Sequence, residues 1–239
     1  MIPKTIHYCW FGNHPKPQNV IDCINSWKTH LSEYEIVEWN EKNFALNHAF
    51  VKNAIKFKLW AFVADFARVS VLKNHGGIYL DTDMFFIKPL PNSFLEFDSF
   101  AGAEDSNFVS AGIIGTTTNS QFISDLFTFY NKLGNVINYY EFILPQVITN
   151  KILKLDSEIK EISQFNGLTV YLPEYFYPLP YKSKNENWQS YLTPNTICIH
   201  LWDASWQKKE KFNFFENHRN YLIKIKGRLI SKIQKKINR

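Results

Sequence analysis

Two aspartates separated by one residue, Asp81 and Asp83, close the apolar run Ile78-Tyr79-Leu80. Side chains two apart on an extended chain project to the same side. Two carboxylates held that way repel each other and are costly to desolvate unless a cation sits between or beside them. Hard oxygen ligands suit Mn2+ or Mg2+, which keep several waters and also take phosphate oxygens. Such an ion stabilises the negative charge that develops on a leaving diphosphate. Asp-x-Asp also occurs in solvated turns. Its place at the end of a buried strand, where ligands of open α/β sheets bind, favours the metal reading.

Other residues have the chemistry to serve the same centre. Asp65 and Arg68 lie three apart on a helical segment and share a face. A surface ion pair of this kind contributes little, but Trp60, Phe62, Val63, Phe66 and Val69 around it imply burial, and a buried Asp and Arg need partners. His200 follows an apolar run; its imidazole can join a metal shell or sit as a satisfied core histidine. Trp10 ends the first strand, where a ring can stack on a base. His7, three residues earlier, points to the opposite side and reads as structural. Asn40 can cap a following helix.

These residues need a scaffold. Thr5–Phe11 reads as a strand, broken by the Gly12-Asn13-His14-Pro15-Lys16-Pro17 loop. Val20, Ile24, Trp27 and Leu31 recur at helical spacing, and Glu35–Trp39 alternates as a strand. Helices are expected over 45–56 and 59–74, the second stopped at Gly76-Gly77 by a glycine with positive φ. Further strands are expected near 99–103, 112–116 and 196–200, and helices near 120–133 and 141–149. There is no internal repeat. The alternation predicts one α/β domain over 1–217, a mostly parallel twisted sheet flanked by helices, with 218–239 as a basic amphipathic helix.

The run Ala64-Asp65-Phe66-Ala67-Arg68, with Leu72 and then Gly76-Gly77-Ile78-Tyr79-Leu80-Asp81-Thr82-Asp83, resembles glycosyltransferase family 32. That family includes yeast initiating mannosyltransferases and bacterial capsule transferases, and is related to the clostridial glucosylating toxins. The opening Ile2-Pro3-Lys4-Thr5-Ile6-His7-Tyr8-Cys9-Trp10-Phe11-Gly12 and the closing His200-Leu201-Trp202 with Ser205-Trp206 are similar to the same family, in the same order. The resemblance implies a Rossmann-like GT-A fold and retaining transfer of a hexose from a nucleotide-diphosphate sugar, a UDP-sugar before GDP-mannose, with Mn2+ or Mg2+. It implies that Asp83 coordinates the metal, that Asp81 binds ribose or sugar and supports the metal through water, and that His200 completes the shell. It implies that Trp10 stacks on the base beside Phe11, and that Asp65 and Arg68 hold sugar hydroxyls and the donor phosphate. Asn40 is a further donor contact. Asn107 and the Ser110-Ala111-Gly112 stretch before a strand line the acceptor side of the donor sugar. Ser205 reaches the β-phosphate, Trp206 donates its indole N–H to the phosphates, and Trp202 packs. No carboxylate presents itself as a nucleophile, so front-face attack of the acceptor hydroxyl is favoured over a covalent intermediate.

Composition narrows the setting. At 45% hydrophobic and 21% charged, the chain has the profile of a soluble globular protein. No apolar stretch reaches the length of a membrane span, and the N-terminus lacks a signal-peptide layout. Cys9, Cys23 and Cys198 are an odd, scattered set that reads as buried thiols in a reducing compartment, so the cytoplasm is expected. From Arg219 to Arg239 there are eight Lys or Arg and no acid, which leaves 19 of the 27 basic residues against 22 acidic ones elsewhere. With Leu222, Ile225, Leu229, Ile233 and Ile237 at helical spacing, this end predicts docking on anionic membrane at the inner face of the plasma membrane, or packing on the core. Nucleic acid is not expected, because the basic surface does not extend into the body. The expected acceptor is a saccharide, lipid-linked in surface polysaccharide or lipooligosaccharide synthesis. Two other classes fit less well. A haloacid-dehalogenase phosphatase carries Asp-x-Asp near its N-terminus with Thr or Val two residues on, where Phe85 stands here. A non-catalytic binding module would keep Trp10 and need no metal pair.

Overall fold

Thr5-Ile6-His7-Tyr8-Cys9 forms strand β1, with four of its five side chains buried. β-Branched and aromatic residues buried on both faces mark an interior strand of a covered sheet. The computed structural model describes residues 1–136 and 138–202. After β1 come α1 (Gln18–His30), β2 (Glu35–Trp39), α2 (Ala49–Lys56), α3 (Trp60–His75), β3 (Gly77–Leu80), β4 (Met84–Phe86), β5 (Ser99–Ala103), β6 (Val109–Thr116) and α4 (Gln121–Asn131). Then follow a single turn α5 (Leu144–Gln146), β7 (Ser163–Phe165), β8 (Leu168–Tyr171), α6 (Pro173–Phe176) and β9 (Cys198–His200).

The main sheet has seven strands in the order β2-β1-β3-β6-β5-β8-β7. β1 pairs in parallel with β2 and β3, and β5 with β8; β6 opposes both β3 and β5, and β7 opposes β8. Five strands therefore run one way and two the other, which is the mostly parallel α/β sheet expected. Alternate residues feed two cores. Cys9, Tyr79, Ile114 and Val170 face α2, α3 and α4. Tyr8, Ile78, Ile113 and Tyr171 face α1 and the segment before β5. α1 presents Val20, Cys23, Ile24 and Trp27 as one stripe. α3 is buried nearly all round from Phe62 to Leu72, and Arg68 is carried inside with it.

Gly76 (φ +65) caps α3, and Gly77 (φ +92) starts β3. A Cβ on Gly77 would lie 2.6 Å from the Thr5 carbonyl and 2.9 Å from His7 Nε2, so only glycine lets α3 turn directly into β3 beside β1. His7 uses this closeness: its Nε2 lies 2.9 Å from the Gly76 carbonyl, and Trp39 Nε1 donates to its Nδ1 at 3.2 Å. The structural role expected of His7 is the one observed.

Several expectations are corrected. The first strand stops at Cys9, before Trp10. The strand expected to begin at Gly112 begins at Val109, so Ser110, Ala111 and Gly112 lie inside β6. The helix expected over 141–149 is broken into a 3-10 turn (Tyr139–Phe142), the α5 turn and a π-helical stretch (Val147–Leu153); Pro145 lacks the N–H that a continuous helix would use. Asn40 caps a turn and no helix: its Oδ1 accepts from Lys42 N–H, and α2 begins only at Ala49. β4, β7, β8 and α6 add to the expected elements. Cys9, Cys23 and Cys198 are buried. Among the described residues no helix is long and apolar enough to cross a membrane. The expected boundary at 217/218, the C-terminal helix, Ser205 and Trp206 lie outside the described residues.

Candidate active site

β3 delivers Leu80 into the core, and the chain then turns. Asp81 N–H donates to the Gly112 carbonyl at 2.8 Å, and Met84 N–H to the Asp81 carbonyl at 3.1 Å. Asp81-Thr82-Asp83 is thus a turn between β3 and β4, and the two carboxylates converge through that turn, not through the strand pleat assumed above. β4 pairs antiparallel with β9 in a separate two-stranded sheet, with Met84 opposite His200. Leu201 N–H donates to the Asp83 carbonyl at 2.9 Å. This ladder brings His200 Nε2 to 3.0 Å from Asp83 Oδ1 across 117 residues of sequence.

One ligand atom from each of Asp81, Asp83 and His200 lies within 4.8 Å of the others. Two carboxylates and an imidazole fit Mn2+ or Mg2+. His200 Nδ1 is buried with no hydrogen-bond partner among the described residues, a cost that ligation through Nδ1, and not through Nε2, would relieve. Burial opposes a charge on His200, but the adjoining Asp83, with Asp81 and Glu104, outweighs it and raises its pKa. The Asp81 carboxyl is raised by burial and by Asp83, against the pull of Arg68.

Arg68 and Asp65 meet the cluster, and the protein itself supplies partners to both. Arg68 donates from Nη2 to Asp81 Oδ1 at 2.7 Å and from Nη1 to the Ala111 carbonyl at 2.5 Å, and its guanidinium lies 4.2 Å from the Tyr79 ring centroid. Asp65 is 3.5 Å from the same Nη2. Both terminal nitrogens are thus held by the protein at Asp81 and β6, which aims Asp81, while the buried Nε has no hydrogen-bond partner among the described residues. Burial pushes the Asp65 carboxyl up to about 7, with Arg68 opposing and Asp81 reinforcing the shift.

The other expected residues sit at the same end of the sheet. Trp10 follows β1, half-buried; its Nε1 donates to the His14 carbonyl at 2.7 Å, and Lys16 Nζ stands 5.8 Å from its ring centroid. Phe11 is buried edge-on to Phe44. Asn40 donates to Glu38 at 3.0 Å, which also accepts from Tyr8 at 2.6 Å and pairs with Lys16. Ser110 is buried on β6, whereas Asn107 stays on an exposed turn held by Asp105. Trp202 packs as expected, its ring centroid 4.1 Å from that of His200 and its Nε1 donating to the Leu179 carbonyl at 2.7 Å. Sequence reasoning missed Glu104 and Tyr177. Glu104 follows β5, and burial with Asp105 raises its pKa against the opposing pull of His200 and Ser110. Tyr177 is fully buried beneath His200, with ring centroids 5.6 Å apart. The acid ending an expected strand beside the Ser110 stretch was the signal available for Glu104.

The family described as the glycosyltransferase sugar-binding region containing a DXD motif matches residues 17–101. The chain is 25% identical over 166 residues to a human α-1,4-N-acetylglucosaminyltransferase, covering 63% of this chain and 45% of that protein. It is 28% identical over 250 residues to an uncharacterized glycosyltransferase, L373, of Acanthamoeba polyphaga mimivirus, covering 94% and 92%. It is 26% identical over 162 residues to a rat lactosylceramide 4-α-galactosyltransferase, covering 61% and 41%. The chain thus spans less than half the length of the human and rat relatives and nearly all of the viral one. The matched region, which covers about a third of the chain, holds Asp81 and Asp83, and the chain is similar to DXD-containing glycosyltransferases.

Proposed function

We propose that this protein is a retaining hexosyltransferase that uses a nucleotide-diphosphate sugar, a UDP-sugar first, a saccharide acceptor and Mn2+ or Mg2+. The observation that carries the reading is the convergence of Asp81, Asp83 and His200 at the carboxyl end of β3, with Arg68 holding Asp81. A bound cation would offset the charge on the departing diphosphate. Asp83 and His200 would hold the cation and Asp81 would support it. Trp10 and Phe11 offer the base a wall at the end of β1, and Asn40 and Ser110 border the donor. Ser205 and Trp206 are donor contacts by resemblance alone. The acceptor oxygen bonds to the anomeric carbon as the bond from that carbon to the phosphate oxygen breaks, and the acceptor proton passes to the leaving phosphate. Positioning and electrostatics then carry the rate.

The names of the human and rat relatives both describe α-linked transfer of a hexose-type sugar to a 4-position, and the rat name includes a glycolipid. These support a saccharide acceptor, and the rat name a lipid-linked one; surface polysaccharide or lipooligosaccharide synthesis is the setting we propose for it. The basic, apolar-striped sequence from Arg219 to Arg239 supports peripheral attachment at the cytoplasmic face of the membrane. A panel of UDP-, GDP-, dTDP- and CMP-sugars, each incubated with Mn2+ and with chelator, tests the central reading. One donor should be hydrolysed only with metal, and Asp83→Ala should remove that activity. Failure to bind any nucleotide with Mn2+ would sink it. Flotation with anionic vesicles tests the attachment: the full chain should bind and a chain ending at Asn217 should not.

A further inference from the structure

β5 and β6 lose register beside the metal cluster. Ala101 faces Ile114 and Ala103 faces Val109, so two steps along β5 are matched by five along β6. The extra residues of β6 bulge away from β5, and their backbone groups turn to other partners. The Ala111 carbonyl takes Arg68, the Gly112 carbonyl takes Asp81 N–H, and Ile113 N–H donates to Tyr177 Oη at 3.0 Å. Gly112 is needed for this, since a Cβ there would lie 2.9 Å from Tyr177 Oη.

The same bulge sets the buried Ser110 close to Tyr177 and Glu104, and Glu104 N–H donates to the Phe108 carbonyl at 2.9 Å. Tyr177 Oη accepts from Ile113 N–H, and the Ser110 hydroxyl can serve either Tyr177 or Glu104. Among the described residues Glu104 has no ion-pair partner, and Asp105 adjoins it. A carboxylate so placed repels phosphate, and its remaining lone pairs suit hydroxyl donors. Across the sheet the order runs from Trp10 at β1, through the Asp81 turn at β3 and over β6, to Glu104 at β5. The hexose attached to a metal-held diphosphate is the hydroxyl-bearing group that must lie beside this cluster.

We propose that Glu104 binds a hydroxyl of the donor hexose, and that Ser110 and Tyr177 are the positioning residues that aim it. The assignment rests on the glycosyltransferase reading above. The test uses the full chain with Mn2+, UDP as the nucleotide probe, and the sugar nucleotide found to be hydrolysed in the donor panel. Glu104→Gln should bind UDP within about twofold of the wild type. It should lose about 10- to 100-fold in affinity for the sugar nucleotide relative to UDP, or in hydrolysis rate, as expected for a hydrogen bond to a charged group. Ser110→Ala should shift the same parameter less, and should add little to Glu104→Gln. One deoxy analogue of the donor hexose should show the same loss with wild-type protein, and Glu104→Gln should add nothing to that loss; a merely structural role would not produce this. Unchanged sugar-nucleotide affinity and hydrolysis in Glu104→Gln overturns the proposal. So does a variant that hydrolyses normally and loses only transfer to a methyl hexoside, because that hydroxyl belongs to the acceptor. Wild-type protein that binds neither UDP nor any sugar nucleotide overturns the glycosyltransferase reading itself.

Discussion

The Arg68 guanidinium is joined to Asp81 at 2.7 Å and to the Ala111 carbonyl at 2.5 Å, so one side chain on α3 ties the turn after β3 to strand β6. This pair is inside the protein, where removing one partner leaves the other desolvated and unpaired. Arg68→Ala is expected to cost about 3–5 kcal/mol of stability, read from denaturant unfolding. Arg68→Lys keeps the charge and loses the fork that reaches both partners. It should stay folded while its Mn2+ affinity falls by about 10- to 100-fold, the range for groups that orient a metal ligand. Full metal affinity in Arg68→Lys would show that Asp81 needs no such orientation.

Asp83 and His200 share the cluster with Asp81, and each should matter through the metal. With UDP held constant and Mn2+ at 100 times its dissociation constant, the wild type should gain about 2.7 kcal/mol from the metal, seen as a rise in melting temperature that chelator removes. Asp83→Ala should fold, show no such rise, and lose donor hydrolysis by at least about 100-fold. Equal stabilisation of the wild type and Asp83→Ala would remove Asp83 from the metal shell.

Gly112 is closely hemmed in by its neighbours. An added methyl would lie 2.9 Å from Tyr177 Oη and 3.3 Å from Asp81 Oδ2. Because Tyr177 is fully buried, it has little room to retreat. Gly112→Ala is expected to cost about 1–3 kcal/mol of stability by overpacking. It should also lower donor hydrolysis well beyond the unfolded fraction, and rates measured far below the melting temperature separate the two effects. A variant as active and stable as the wild type would show that the contact relaxes freely.

His7 makes acid stability depend on a single tautomer. Its Nδ1 accepts from Trp39 Nε1, so Nε2 carries the hydrogen donated to the Gly76 carbonyl, and the ring must be neutral. Burial lowers its pKa from 6.5 to about 4, with the Gly76 bond opposing and His75 reinforcing. The unfolded chain therefore takes up a proton between pH 6.5 and 4 that the folded chain refuses. The contribution of His7 is full above pH 6.5 and declines below it, losing about 3 kcal/mol by pH 4. Urea unfolding at steps across this range should show the decline, and His7→Gln, which cannot charge, should flatten it. An unchanged slope in that variant would assign the acid sensitivity to other groups.

Much of the frame could be read locally. β2 and β5 fall at their expected bounds because apolar alternation and β-branched residues are properties of a few neighbouring positions. α3 ends where Gly76 and Gly77 permit positive φ, and Asp81 and Asp83 announce a cation by their charge and their place after a buried strand. The tertiary structure decided the rest. Nothing near Met84-Phe85-Phe86 says that this segment pairs with Cys198–His200, yet that ladder selects His200 as the third member of the cluster. Nothing near Arg68 says that its protein partners are Asp81 and a β6 carbonyl. Glu104 gained its place from a lost register between β5 and β6, and register is set by how the sheet covers its two cores at once. Local chemistry names the groups able to bind a metal and a sugar. Only long-range pairing, whose energy is shared among residues far apart in the chain, determines which of them meet.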